Sequence, residues 1–208
     1  MYLLRVILPD RPGSLGAVAT ALGGVGADIE AFEIIERRTG FAVDDIMVGL
    51  PPGVPADRLI TACQSLPGVE VLFINRFPGA WGLLGDMDVL DQMVASPVEA
   101  ESILADAAQQ VFRAHWAIVV DLDNGAVRHA TELAPELTAE TLPLLGDLSI
   151  LDTRELTEGW LTGWGLTHVA IAPFRNRHAI VMARHGGPAF LPSELTRLRI
   201  LATITHDS

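Results

Sequence analysis

The chain has 208 residues, half of them hydrophobic, and its 26 acidic against 14 basic side chains give a formal charge of −12. That length allows one large domain or two smaller ones with real cores, and the acidic balance argues against DNA, RNA and anionic membrane as partners, because those need basic surface against phosphate. Every one of the basic residues is arginine, so Schiff-base chemistry, lysine general bases and the Walker-type phosphate lysine are excluded.

Residues 2–8, YLLRVIL, are an apolar run that predicts a buried strand. From Leu15 the apolar positions Leu15, Val18, Ala19 and Leu22 fall at i, i+3, i+4 and i+7, a helix face. Gly23, Gly24 and Gly26 end it, as a left-handed C-cap requires. The stretch 27–50 predicts a long hairpin turning at Thr39-Gly40, with Ile29, Ala31 and Ile35 on one parity. A helix with Leu59, Ile60 and Leu66 inward follows the Pro-rich PPGVP, Pro67-Gly68 ends it, and VEVLFI (69–74) is a last strand. The order β-α-β-β-α-β over residues 1–76 predicts the split βαβ, ferredoxin-like plan, an antiparallel sheet with both helices on one face.

Residues 77–86, rich in Gly and Pro, read as a linker. A short helix is expected at 87–94. Ser96-Pro97-Val98-Glu99 then predicts a helix start closed by a capping box, continued by Ile103, Ala107 and Val111. Residues 115–132 predict a hairpin with Asn124-Gly125 as a type I′ turn. An irregular region spans 132–165, a second hairpin turns near Arg175-Asn176-Arg177, and a last helix starts at Ser193. The stretch 87–208 therefore reads as a second α+β domain, with no internal repeat.

No apolar run approaches the ~18 residues of a membrane-spanning helix. The start MYLLRVILPD lacks the basic segment and small-residue cleavage site of a signal peptide. A cytoplasmic protein is expected. The single Cys63 excludes an internal disulfide and a multi-cysteine metal site, and its place in the helical pattern RLITACQSL predicts a buried, inert thiol.

The stretch LPDRPGSLGAV (8–18) puts a carboxylate, a guanidinium, a fixed φ and a side-chain-free residue where a strand becomes a helix. Such a helix start offers unpaired N–H groups and about half a positive charge, a seat for a carboxylate. Gly13 lets a ligand approach the backbone, Pro12 stiffens the loop without an N–H, and the amides of Gly13, Ser14 and Leu15 are left to donate. Asp10 and Ser14 equally suit a helix cap, and Asp28 a turn.

With PDRPGSL after the first strand and GADI opening the second, residues 1–76 resemble an ACT domain, a regulatory module that binds amino acids. The resemblance implies a ligand site at Asp10, Arg11, Pro12, Gly13, Ser14, Leu15, Asp28 and Ile29. The family has polar side chains just before Arg-Pro-Gly and at the start of the second strand. Here both are carboxylates, Asp10 and Asp28, which accept hydrogen bonds but do not donate them. They suit an ammonium group and weigh against acidic amino acids. The resemblance also implies a homodimer with ligands at the seam between two copies, and it extends to modules that only dimerise.

Residues 95–205 resemble a GAF-like domain through their opening helix, paired strands and the closing AIVMARHGGPAFLPSELTRLRILA. No site motif of that family carries over. With the only cysteine at position 63 a cysteine-linked bilin is excluded, and without lysine the cyclic-nucleotide set is incomplete. His115, His129, His168, His178, His185 and His206 show no metal-ligand spacing, and no metal or cofactor is expected. Trp160 and Trp164 read as core or pocket wall. No nucleophile elbow, P-loop or dinucleotide fingerprint is present, and Asp121 and Asp123 read as solvated hairpin residues.

The expectation is therefore an α+β, non-catalytic, cytoplasmic regulator: an ACT domain at 1–76, a linker at 77–86 and a GAF-like domain at 87–208. It binds a small molecule, an amino acid, as a homodimer and acts on a regulated protein partner. The rivals are an interaction module that tethers a separate enzyme without a ligand, and a small-molecule sensor or enzyme working through the second domain.

Overall fold

The structure, a computed structural model, describes residues 1–76, 83–175 and 177–204. The chain divides into two units, Met1–Gly79 and Ala80–Ser208, each α+β and each built on one antiparallel sheet.

The first unit runs β1 (Tyr2–Pro9), α1 (Ser14–Gly24), β2 (Asp28–Arg38), β3 (Phe41–Gly49), α2 (Asp57–Gln64) and β4 (Glu70–Arg76). Its four strands lie in the order β2-β3-β1-β4. Strand alternation sends Leu4, Val6 and Leu8 of β1 and Ile46 and Val48 of β3 to one face. There they pack with Val18 and Leu22 of α1 and Leu59 and Cys63 of α2, so both helices cover that face. Each fully buried aliphatic side chain contributes about 1.5–3 kcal/mol. Burial pushes the Cys63 thiol up to about 11, which leaves it a thiol at neutral pH. Arg5 and Asp45, buried neighbours on β1 and β3, form a two-pronged ion pair at 2.7 and 2.8 Å.

The end of α1 is set by glycine. Gly26 has φ 83°, and the N–H groups of Gly26 and Ala27 return to the carbonyls of Gly23 and Leu22, the paired closure of a left-handed helix terminus. The parity expected of β2 is corrected. Two register shifts against β3, between Ile29 and Ala31 and between Ile34 and Glu36, insert Glu30 and Ile35 as extra residues. Ile29 and Phe32 consequently face the core, and Ile35 does not continue their row.

The second unit contains α3 (Leu83–Ala95), a 3₁₀ turn at Pro97–Glu99, α4 (Ala100–Phe112), β5 (Trp116–Asp121), β6 (Val127–Ala130), β7 (Asp152–Leu156), β8 (Thr167–Pro173), β9 (His178–His185) and α5 (Pro192–Ile204). The five-stranded order is β6-β5-β9-β8-β7. One face, with Ala117, Val119, Ala170, Ala172, Ile180 and Met182, packs on Leu104, Ala108 and Phe112 of α4 and Leu198 and Leu201 of α5. The other, with Trp116, Ile118, Val120, Val169, Ile171 and Val181, is covered by Leu142, Leu145, Leu148, Trp160 and Trp164. The stretch expected to be irregular therefore supplies the second layer, and it contains the edge strand β7.

Three local expectations are corrected. α3 begins at Leu83, inside the stretch read as linker; residues 77–82 of that stretch lie outside the described residues. Ser96 makes no side-chain cap bond, because Pro97 opens a 3₁₀ turn in which the Glu99 N–H reaches the Ser96 carbonyl instead. Asn124-Gly125 is not a type I′ turn. Gly125 has φ 69° but Asn124 is not in the positive-φ region, and the Asp121 carboxylate ties the turn by accepting from the Asp123 N–H and Asn124 Nδ2. Of the second hairpin's turn, Asn176 lies outside the described residues and Arg177 has φ 65°.

Candidate ligand site

The β1–α1 connection opens on a cavity of about 390 Å³. Asp10, Arg11, Pro12, Gly13, Ser14 and Leu15 all line it, joined by Arg37 of β2 and Asp44 of β3. Its apolar wall comes from Leu8, Leu15, Phe32, Ile34 and Ala42. Gly13 sits at φ 92° as the residue before α1, a left-handed conformation that costs about 1–2 kcal/mol for a residue with a Cβ. Neither Asp10 nor Ser14 caps the helix, since no side chain bonds to its N-terminus. The Ser14 N–H donates to the Arg11 carbonyl at 3.2 Å and is thus occupied, contrary to the expectation that it is free. Among the described residues no acceptor meets the amides of Gly13, Leu15 or Gly16.

Asp44 is the group that sequence reasoning missed. It lies at 2% exposure, and among the described residues its Oδ1 has no hydrogen-bond partner. Burial raises its pKa from 3.8 to about 6; Arg37 opposes that rise, while the carboxylates of Asp45 and Asp10 add to it. The signal was present in FAVDDIMVG, two consecutive aspartates inside an apolar strand. Alternation sends one to each face: Asp45 to Arg5, Asp44 to the cavity at the N-terminus of α1.

Asp28 and Ile29 do not join this cavity. Asp28 is exposed at the start of β2, paired with Gly49, whereas the cavity takes Phe32, Ile34 and Arg37 from further along the strand. At about 3.3 Å per residue, most of β2 separates Asp28 from Arg37. Ile29 contributes instead to the core.

In the second unit His115, His129 and His178 have ordinary partners. His129 Nε2 lies 2.7 Å from Asp106 and His178 Nδ1 2.8 Å from Glu101. His115 Nδ1 accepts the His185 backbone N–H at 3.0 Å. Burial, with the charges of His185 and Arg184, lowers the His115 pKa below its usual value. No group of three or more metal-ligating side chains occurs among the described residues; His206 lies outside them. Trp164 packs edge-on against Trp116 and His185 with centroids 6.2 and 5.6 Å away, as wall and core. No helix among the described residues is long and apolar enough to cross a membrane.

No protein-family model matches the chain, and no curated protein matches it. Among solved structures, 46% of the chain resembles 38% of a formyltetrahydrofolate deformylase from Pseudomonas putida KT2440, at 10% identity and a TM-score of 0.31. An unknown protein from Galdieria sulphuraria is similar over 96% of this chain and 89% of its own, at 14% identity and a TM-score of 0.34. The class defined here is an α+β protein with two antiparallel sheets.

Proposed function

We propose that the chain is a non-catalytic, amino-acid-sensing regulator, with an ACT domain in its first unit and a GAF-like domain in its second. The β-α-β-β-α-β order with both helices on one sheet face supports the first assignment. A sheet flanked by opening and closing helices supports the second. One observation carries the functional reading: Gly13 and Leu15, whose amides have no acceptor, and Asp44, a buried aspartate with one carboxylate oxygen lacking a donor, line the same cavity. An α-amino acid brings a carboxylate for the amides and an ammonium for the carboxylate.

Asp28 and Ile29, at the far end of β2, reach a ligand in this cavity only from a second copy. That arrangement fits the homodimer with ligands at its seam. The regulated target is a separate protein.

A thermal-shift screen against the twenty amino acids tests the reading. A ligand at 100 times its Kd stabilises by about 2.7 kcal/mol, on the order of 10 to 20 °C for a unit of about 80 residues. A flat response to all twenty at ~10 mM, together with a stable protein partner in a pull-down, favours a ligand-free tether.

A further inference from the structure

We infer that Asp44 is the seat of the ligand's ammonium group, and that the cavity selects a zwitterionic α-amino acid with an apolar side chain. This rests on the amino-acid-binding reading and assigns the ligand class and the residue that sets it.

A buried carboxylate oxygen without a donor is costly, and it persists where something else supplies the donor. An ammonium group carries three N–H donors and a full charge, and charge-assisted bonds are the strong ones. The charges around Asp44 fit that guest. Arg37 reaches the cavity from β2, Asp10 and Arg11 from the loop; Asp45 on β3 is already bound to Arg5 of β1, and α1 carries no charged residue. Two carboxylates, two guanidiniums and a helix N-terminus complement a zwitterion. An acidic side chain would meet Asp10 and Asp44, and a cationic one would meet Arg11 and Arg37. The remaining wall, Leu15, Phe32 and Ile34, is apolar and suits an aliphatic or aromatic side chain.

Calorimetric titration of the full chain with L-valine, L-leucine and L-phenylalanine, and with their α-hydroxy acid counterparts, tests this. The hydroxy acids keep the carboxylate and side chain and lose the ammonium. The parent should bind at least one amino acid about tenfold or more tighter than its hydroxy acid, the size of one charge-assisted bond. Asp44→Asn should erase that preference while still binding the hydroxy acid, with circular dichroism confirming its fold. L-Lysine and L-glutamate should bind more weakly than the best apolar amino acid. Equal binding of amino and hydroxy acids by the parent, or an intact preference in folded Asp44→Asn, overturns the assignment and leaves the sensing reading standing. Binding of none of the twenty amino acids overturns both.

Discussion

Asp44 has Arg37 as a nearby counter-charge, yet among the described residues its Oδ1 has no hydrogen-bond donor. Its folded pKa, raised by burial to about 6 from 3.8, means that the folded state binds the proton more tightly than the unfolded chain. Stability therefore increases as pH falls through about 6 and levels off below 3.8, the reverse of a salt-bridged aspartate. The difference corresponds to about 3 kcal/mol at neutral pH. Asp44→Asn should recover on that order in the ligand-free protein at about pH 7 and almost nothing near pH 4, read by hydrogen exchange of the β3 amides. A destabilised Asp44→Asn at neutral pH would mean that the carboxylate is paired. Legibility at this scale was uneven. The loop 10–15 stood out because Arg-Pro-Gly before a helix is a local pattern. Asp44 and Arg37 did not, because their meeting depends on which strand lies beside β3 and in what register.

Secondary elements were legible where the signal is periodicity or punctuation. The apolar spacing of α1 and the glycines behind it fixed that helix, and Pro67-Gly68 placed β4. The row in β2 was misread because bulges at Glu30 and Ile35 break the two-residue period. β7 was missed because DTREL is an edge strand whose charged side chains hide its alternation. The helix start near Ser193 was legible, but the buried link that ties β9 to α5 has no sequence signature. Arg184, buried, binds Glu194 at 2.7 Å and donates to the Phe112 carbonyl at 2.6 Å, and Glu194 accepts the Leu191 N–H at 2.9 Å. Glu194→Ala leaves a buried guanidinium without its counter-charge and should cost about 3–5 kcal/mol. All four tryptophans lie in the second unit, so urea unfolding followed by their fluorescence reads that cost directly. The double variant Arg184→Met, Glu194→Leu should lose much less, because no uncompensated charge remains. Equal losses in the two would place the cost in packing.

At the scale of the whole molecule, charge and assembly make the predictions. A formal charge of −12 predicts no DNA or RNA binding at about 150 mM salt; a gel shift at low-micromolar protein would contradict it. The proposed seam site, with Asp28 supplied by a second copy, predicts a dimer, seen in sedimentation as twice the 22.3 kDa of one chain, with Asp28→Ala weakening ligand binding while the unit stays folded. A monomer that binds its ligand fully would place Asp28 outside the site. The central claim, that an amino acid sits on the β1–α1 loop, is tested most directly by calorimetric titration of Gly13→Val. A Cβ at Gly13 meets no atom within 4 Å, so the fold should lose only the ~1–2 kcal/mol of a left-handed φ. The branched side chain would stand where the carboxylate meets the free amides. Gly13→Val with a parental circular dichroism spectrum should show no heat of binding with the parent's best amino acid, and parental affinity in that variant would contradict the account.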